Sequence, residues 1–371
     1  MIGIRNAALA ALFAITASAP LAAQGQGSFY EPDPNLEGTR VGTRAADFLK
    51  MGVGARALAL GSAYTAMAED IYSLYWNPAG LAHIESLSAA FTHAALFEEA
   101  DITHQFAGVA LPALGGVVGV SGIFFDSGDI PRTSEEFPLG GDPELGDVFS
   151  WTGTAIGLHY ARFITDRLSI GFAGKVVGEG IAGATANYFG FDAGVRFNTG
   201  LFGTTIGAAL TNVGSEGRIT GGPVDRRIDG TATDFDLLRP LEIGIRTTAA
   251  SLPTAFHFGI RTSLVGGPAA VLAPNPDHAV VALVQIDDGI DTAMQPSVAA
   301  EYAFRDVVFA RVGKRMANEP RTGFRESTHG LSAGFGVRMP IGTGRRAGFD
   351  FAYVDMGELE NIRVFSFEFV F

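Results

Sequence analysis

Three observations predict an all-β chain, a closed antiparallel transmembrane β-barrel of about 14 strands with a small N-terminal helical hatch in its lumen. From residue 85 to the end, segments of about ten residues alternate apolar with small or polar, and turn residues separate them. That is the pattern of strands with one face to lipid and the other to a lumen. The final strand sets Phe365, Phe367, Phe369 and Phe371 on one face, an edge that invites aggregation unless another strand closes it. The chain opens on an export leader and has no Cys, so disulfides do not hold it; a closed hydrogen-bonded barrel can.

Composition agrees. Charged residues make up 18%, below the usual ~25%. Gly accounts for 49 of 371 residues, about twice the usual share of ~7%. A net charge of −13 argues against nucleic acid as a partner. The lack of Cys removes thiol catalysis, Cys-zinc sites and iron–sulfur clusters.

In chain order, 1–23 reads as a signal peptide. Arg5 is the positive n-region, 7–16 an apolar stretch too short to span a bilayer, and cleavage is expected near Ala23-Gln24. The polar stretch 24–43, with Pro32 and Pro34, reads as an extended periplasmic lead-in. Residues 44–84 form the hatch. Gly52, Gly54 and Gly61 count against one long helix, each costing ~1 kcal/mol relative to Ala, so two short helices are expected. Pro78 ends the second by biasing Asn77 away from helical geometry.

Residues 85–371 are the barrel. In 168–176, Leu168, Ile170, Phe172 and Val176 oppose Lys175; in 189–197, Phe189, Phe191, Val195 and Phe197 oppose Asp192 and Arg196. Phe256, Phe258 and Ile260 oppose His257 and Arg261; Leu331, Phe335, Val337 and Met339 oppose Arg338. The uncharged run 106–125 is long enough for a membrane helix, but Pro112 and the Gly115-Gly116 turn signal read as two strands. Candidate strands number fifteen, and single-chain bacterial barrels have even counts. Placing long loops outside and short turns in the periplasm demotes 238–247 to an extracellular excursion and leaves fourteen. Sixteen would need a further strand in 268–274.

One string carries a resemblance. Phe48-Leu49, Gly54-Ala55-Arg56-Ala57, Gly61-Ser62-Ala63-Tyr64, Glu69-Asp70 and Tyr75-Trp76-Asn77-Pro78-Ala79-Gly80-Leu81 follow one another in order. This resembles the N-terminal signature of the PorV/PorQ family, a branch of the FadL-like outer-membrane proteins. Asn212-Val213-Gly214, Leu252-Pro253-Thr254 and Glu301-Tyr302 continue it. The resemblance implies a fourteen-stranded outer-membrane barrel around a hatch. It also implies two roles: carrying exported proteins with a C-terminal signal to type IX secretion components, or passing hydrophobic small molecules such as fatty acids. Both termini are expected in the periplasm. The terminal Phe371 strand resembles the signal read by the barrel assembly machinery, and the bilayer is the surrounding partner.

Each candidate residue has a structural alternative. Asn77-Pro78-Ala79 is either a constriction or a helix stop whose Asn satisfies nearby backbone. Glu69-Asp70 reads as a solvated helix end, with pairing to a lumen Arg as the alternative. Arg56, in an apolar run, needs a partner. Gly61, Tyr64, Trp76 and Ala79 complete the hatch set. The inward polar residues Lys175, Asp192, Arg196, His257, Arg261, Glu301, Arg311, Arg338, Asp350 and Glu368 mix signs. That suits ion pairing around a plug better than a single-sign ring. The acidic segment 127–150 reads as a solvated loop, since calcium-loop spacing is missing. Gly-x-Ser-x-Gly and His-Glu-x-x-His are absent, and nothing singles out Ser88 with His93 as a catalytic pair. The expectation is a non-enzyme without metal or cofactor. Its primary role is expected to be the secretion carrier, with hydrophobic uptake as the alternative.

Overall fold

The computed structural model describes residues 42–97, 101–133, 137–141, 148–222, 224–228, 241–244, 246–316, 330–356 and 361–371. The signal peptide and almost all of the lead-in lie outside the described residues. So does most of the acidic part of 127–150 (Glu135, Glu136, Asp142, Glu144 and Asp147).

Fourteen strands build the barrel. They are β1 Ser88–Leu96, β2 Ile102–Ala113, β3 Gly116–Asp126, β4 Trp151–Thr165, β5 Leu168–Ile181, β6 Ala184–Asn198 and β7 Thr205–Gly214, followed by β8 Ala255–Gly266, β9 His278–Gly289, β10 Gln295–Phe304, β11 Val308–Arg315, β12 Leu331–Pro340, β13 Arg346–Asp355 and β14 Asn361–Val370. Each pairs antiparallel with its sequence neighbour. β1 pairs antiparallel with β14 from Ser88↔Val370 to Ala95↔Arg363, and this closes the sheet. The run 106–125 is two strands joined at Leu114 and Gly115, both with positive φ. Among the described residues no helix is long and apolar enough to cross a membrane. The demoted stretch 238–247 contributes Leu241–Gly244, which pairs with Asp225–Ile228 in a separate two-stranded ribbon off the barrel. The suggested strand in 268–274 is reduced to Ala273–Pro274 beside β8.

The period-2 alternation orients every strand. Phe172, Phe189 and Phe191 are 55%, 62% and 63% exposed, while Ala173, Tyr188 and Asp192 between or beside them are buried. Phe365, Phe367 and Phe369 are exposed as well, with Val364 and Ser366 buried. The barrel is therefore apolar outside and filled inside, the opposite of a soluble domain, and its outer surface requires an apolar surrounding.

The filling is residues 44–84. They contain α1 Ala55–Ala59 and α2 Ser73–Trp76, flanked by short 3-10 turns Asp47–Lys50 and Pro78–His83. Pro78 opens the second turn, where its missing N–H is no loss. Asn77 before it is extended and its side chain accepts the Ala79 N–H. This segment touches the wall all round. Leu74 lies against β2 and β3, Asn77 and Pro78 against β5 and β6, Ala66 against β7 and β8, Leu60 and Gly61 against β11, and Ala59 against β12. Only a lumen position makes such a set of contacts.

The plug threads the barrel from end to end. At its start Ala45 N–H donates to Ser251 O and Ala46 N–H to Glu179, both at the end bearing the long connections. It finishes at Ile84, beside the tight-turn end where Phe371 N–H donates to Leu87 O. The expected periplasmic lead-in before the plug lies almost wholly outside the described residues. The plug begins at the end opposite Phe371.

Candidate functional site

The lumen is built by fitting the plug against glycines of the wall. A Cβ on Gly171 of β5 would lie 2.3 Å from Pro78 C, and one on Gly313 of β11 would lie 2.2 Å from Gly61 N. Gly207 is blocked in the same way by the Thr65 carbonyl, and Gly194 by the side-chain oxygen of Asn77. Main chain thus meets main chain, and these contacts account for part of the high glycine content.

Polar ties fix the plug. Asn77 is fully buried; its amide N–H groups donate to Thr65 O at 2.9 Å and Val195 O at 3.2 Å. Trp76 Nε1 donates to Val53 O at 2.9 Å. Ala79 lies against Gly171 and Gly194. The Asn-Pro-Ala stretch is a satisfied knot against β5 and β6.

On one side of the plug runs a continuous line of alternating charge. Arg56 forks onto Glu301 at 2.8 and 2.9 Å and reaches Asp70 at 3.2 Å. Tyr64 Oη also donates to Asp70. Glu301 and Asp350 both bind Arg311 at 2.6 Å. Arg338 joins Asp350 at 2.7 Å and Glu368 at 3.4 Å. The structure therefore brings five of the predicted inward residues, Glu301, Arg311, Arg338, Asp350 and Glu368, into one network with the plug. The side chains of Arg311, Asp350 and Glu301 are 0%, 1% and 5% exposed, so each charge depends on its neighbours.

At the tight-turn end Arg196 donates to Glu69 at 2.6 Å, to His83 Nε2 at 2.6 Å and to Ala66 O at 3.2 Å. Of the two readings of Glu69-Asp70 the structure shows the pairing to Arg, with the Asp70 side chain 11% exposed and that of Glu69 still 40% exposed. Both carboxylates face guanidinium groups, Asp70 that of Arg56 and Glu69 that of the buried Arg196, whose charge needs a partner. Burial pushes the Glu69 carboxyl up, but Arg196 and Arg261 outweigh it and hold it below the ordinary value. Burial, then Arg196, holds the His83 imidazole below its ordinary value.

At the other end, between the plug and the wall, lies a cavity of ≈ 240 Å³. Lys175 pairs with Asp192 at 2.8 Å and with Asn212 at 2.6 Å. His257 pairs with Asp287 at 2.6 Å and with Thr211 at 3.2 Å. Lys50 bridges Asp47 and Asp291 at 2.7 and 2.6 Å. Among the described residues no cluster of His, Asp or Glu could hold a metal ion.

Several tethers had escaped the sequence reading. Gln285 accepts the Thr65 N–H at 2.8 Å and donates to Ser62 O at 2.9 Å. Its signal was a lone amide in the apolar run 279–286. Ser332 accepts the Gly61 N–H at 2.9 Å, and Ser366 accepts the Ala55 N–H at 2.7 Å. Serines among the small residues of a barrel strand carry no such signal.

No family model and no curated protein matches the chain. Solved structures do. The toluene transporter TbuX of Ralstonia pickettii aligns with a TM-score of 0.54 at 13% identity, over 86% of this chain and 98% of that one. The toluene transporter TodX of Pseudomonas putida gives 0.52 at 12%, over 86% and 96%. A FadL homologue of Pseudomonas aeruginosa gives 0.50 at 9%, over 86% and 98%. The chain shares the fold of FadL-type barrels.

Proposed function

We propose that the protein is a non-enzymatic outer-membrane channel that takes up hydrophobic small molecules, with residues 44–84 as its hatch. The observation that carries this reading is the cavity between the plug and the wall, at the end of the long connections. A solute arriving from outside meets a built site before it meets the barrier. The plug fills the remainder of the lumen, so passage requires it to shift or loosen. The outward apolar band supports a place in a bilayer, and structural neighbours described as toluene transporters support the solute class. The expected role as a type IX secretion carrier, and the closer PorV/PorQ assignment, have no supporting observation among the described residues.

Uptake of labelled toluene by cells with and without the protein tests the reading. Faster uptake with the protein is expected. Equal uptake, together with exported proteins co-purifying from native membranes in mild detergent, would overturn it in favour of the carrier.

A further inference from the structure

The cavity above the plug has two unlike sides. Its floor and one wall are mainly apolar, formed by Leu49, Leu74 and Trp76 of the plug with Phe106, Ile123 and Ala155 of β2, β3 and β4; the polar exception there is the Ser121–His159 pair, which is hydrogen-bonded to itself at 2.8 Å. The facing wall is polar, formed by Lys175, Asp192, Thr211, Asn212, His257 and Asp287 of β5 to β9. A bare hydrocarbon would satisfy the first side and strip water from the second without replacing its hydrogen bonds, which is unfavourable.

Charge narrows the class further. Each Lys and Arg lining the cavity already has a carboxylate: Lys50 has Asp291, Lys175 has Asp192, and Arg315 stands 3.9 Å from Asp287, which the His257 ring also holds. An anionic headgroup would have to displace one of these partners. A neutral group that both donates and accepts fits without displacing any of them. Size narrows it as well. The volume of ≈ 240 Å³ exceeds the ~150 Å³ of a cavity that holds benzene by room for a few substituents. A long acyl chain would extend beyond it.

We infer that this cavity binds a neutral, single-ring aromatic carrying hydroxyl substituents, in preference to an unsubstituted aromatic hydrocarbon or a fatty acid. The ring lies on Leu74, Trp76 and Phe106, and the hydroxyl faces Thr211 and His257. This inference rests on the channel reading above.

The test uses a matched pair, toluene and 4-methylphenol, which differ by one hydroxyl, with palmitate as the long-chain probe. Binding to the full-length protein in detergent micelles is read by saturation-transfer NMR and by Trp fluorescence. 4-Methylphenol is expected to bind at least tenfold more tightly than toluene. Palmitate is expected not to displace it. Ala155→Phe, which fills the apolar side, is expected to abolish binding, and Thr211→Val to narrow the preference while retaining the ring. If toluene binds as tightly as 4-methylphenol, or palmitate displaces both, the inference falls and the channel reading stands. If no probe binds more in wild type than in Ala155→Phe, both fall. The wild-type comparison decides even if a variant fails to fold.

Discussion

His83 Nε2 accepts a hydrogen bond from Arg196 at 2.6 Å, so a histidine of the plug is held neutral by a wall guanidinium. The other ring nitrogen lies 3.3 Å from Gly80 O and donates to it. A proton on Nε2 would set two donors against each other. Because folding lowers the His83 value below 6.5, its contribution is complete above the ordinary histidine range and is lost as pH falls below it. The Glu69 value is held below 4.5, so its contribution is complete above that and is lost only at lower pH. The protection of amides in residues 66–83, measured relative to the intrinsic exchange rate at each pH, is therefore expected to fall between pH 7 and pH 5 while that of the β-strands does not. Equal protection at both values would refute this latch.

The charge line gives a second prediction. Arg311→Met leaves Glu301 and Asp350 without their shared cation, and breaking a buried pair from one side costs about 3–5 kcal/mol. The temperature at which the folded band is lost on unheated gels is expected to drop clearly. An unchanged transition would mean that the network adds nothing to stability.

Glycine fit gives a third. Gly171→Ala drives a methyl group into Pro78, an overpacking worth about 1–3 kcal/mol. Gly174→Ala, whose new Cβ would have no heavy atom nearer than 3.8 Å, is the control and is expected to be neutral. Similar melting of both variants would count against main-chain contact between plug and wall.

Thread direction gives a fourth. The chain has no Cys, so a single introduced thiol reports cleanly. Thr43→Cys is expected to react with an impermeant maleimide on intact cells, because long connections face outward in such barrels. Leu114→Cys, in an exposed tight turn at the opposite end, is expected to react only after lysis. The reverse pattern would invert the barrel.

The strands were legible because a half-exposed strand repeats every two residues, and loop length settled the count once 238–247 was set aside. The charges were legible as inward residues, but not as a chain. Arg311 meets Glu301 and Asp350 through strands 10 and 39 positions away, a distance that local pattern does not encode. The direction of the plug was not legible either, since neither its glycines nor Asn77 distinguishes one end of a lumen from the other. The cavity arises from residues of ten strands and the plug together, so no single stretch announces it.

Ser366 on β14 binds the plug at Ala55 and lies 2.9 Å from Thr92 on β1, whose hydroxyl donates to Tyr72 of the plug at 3.3 Å. The first strand made and the last strand made are therefore stapled by a segment synthesised before either. The seam that the two strands close by their own backbone pairing is thus also a point where the lumen is held, and a change at Ser366 or Thr92 would reach the wall and its filling together.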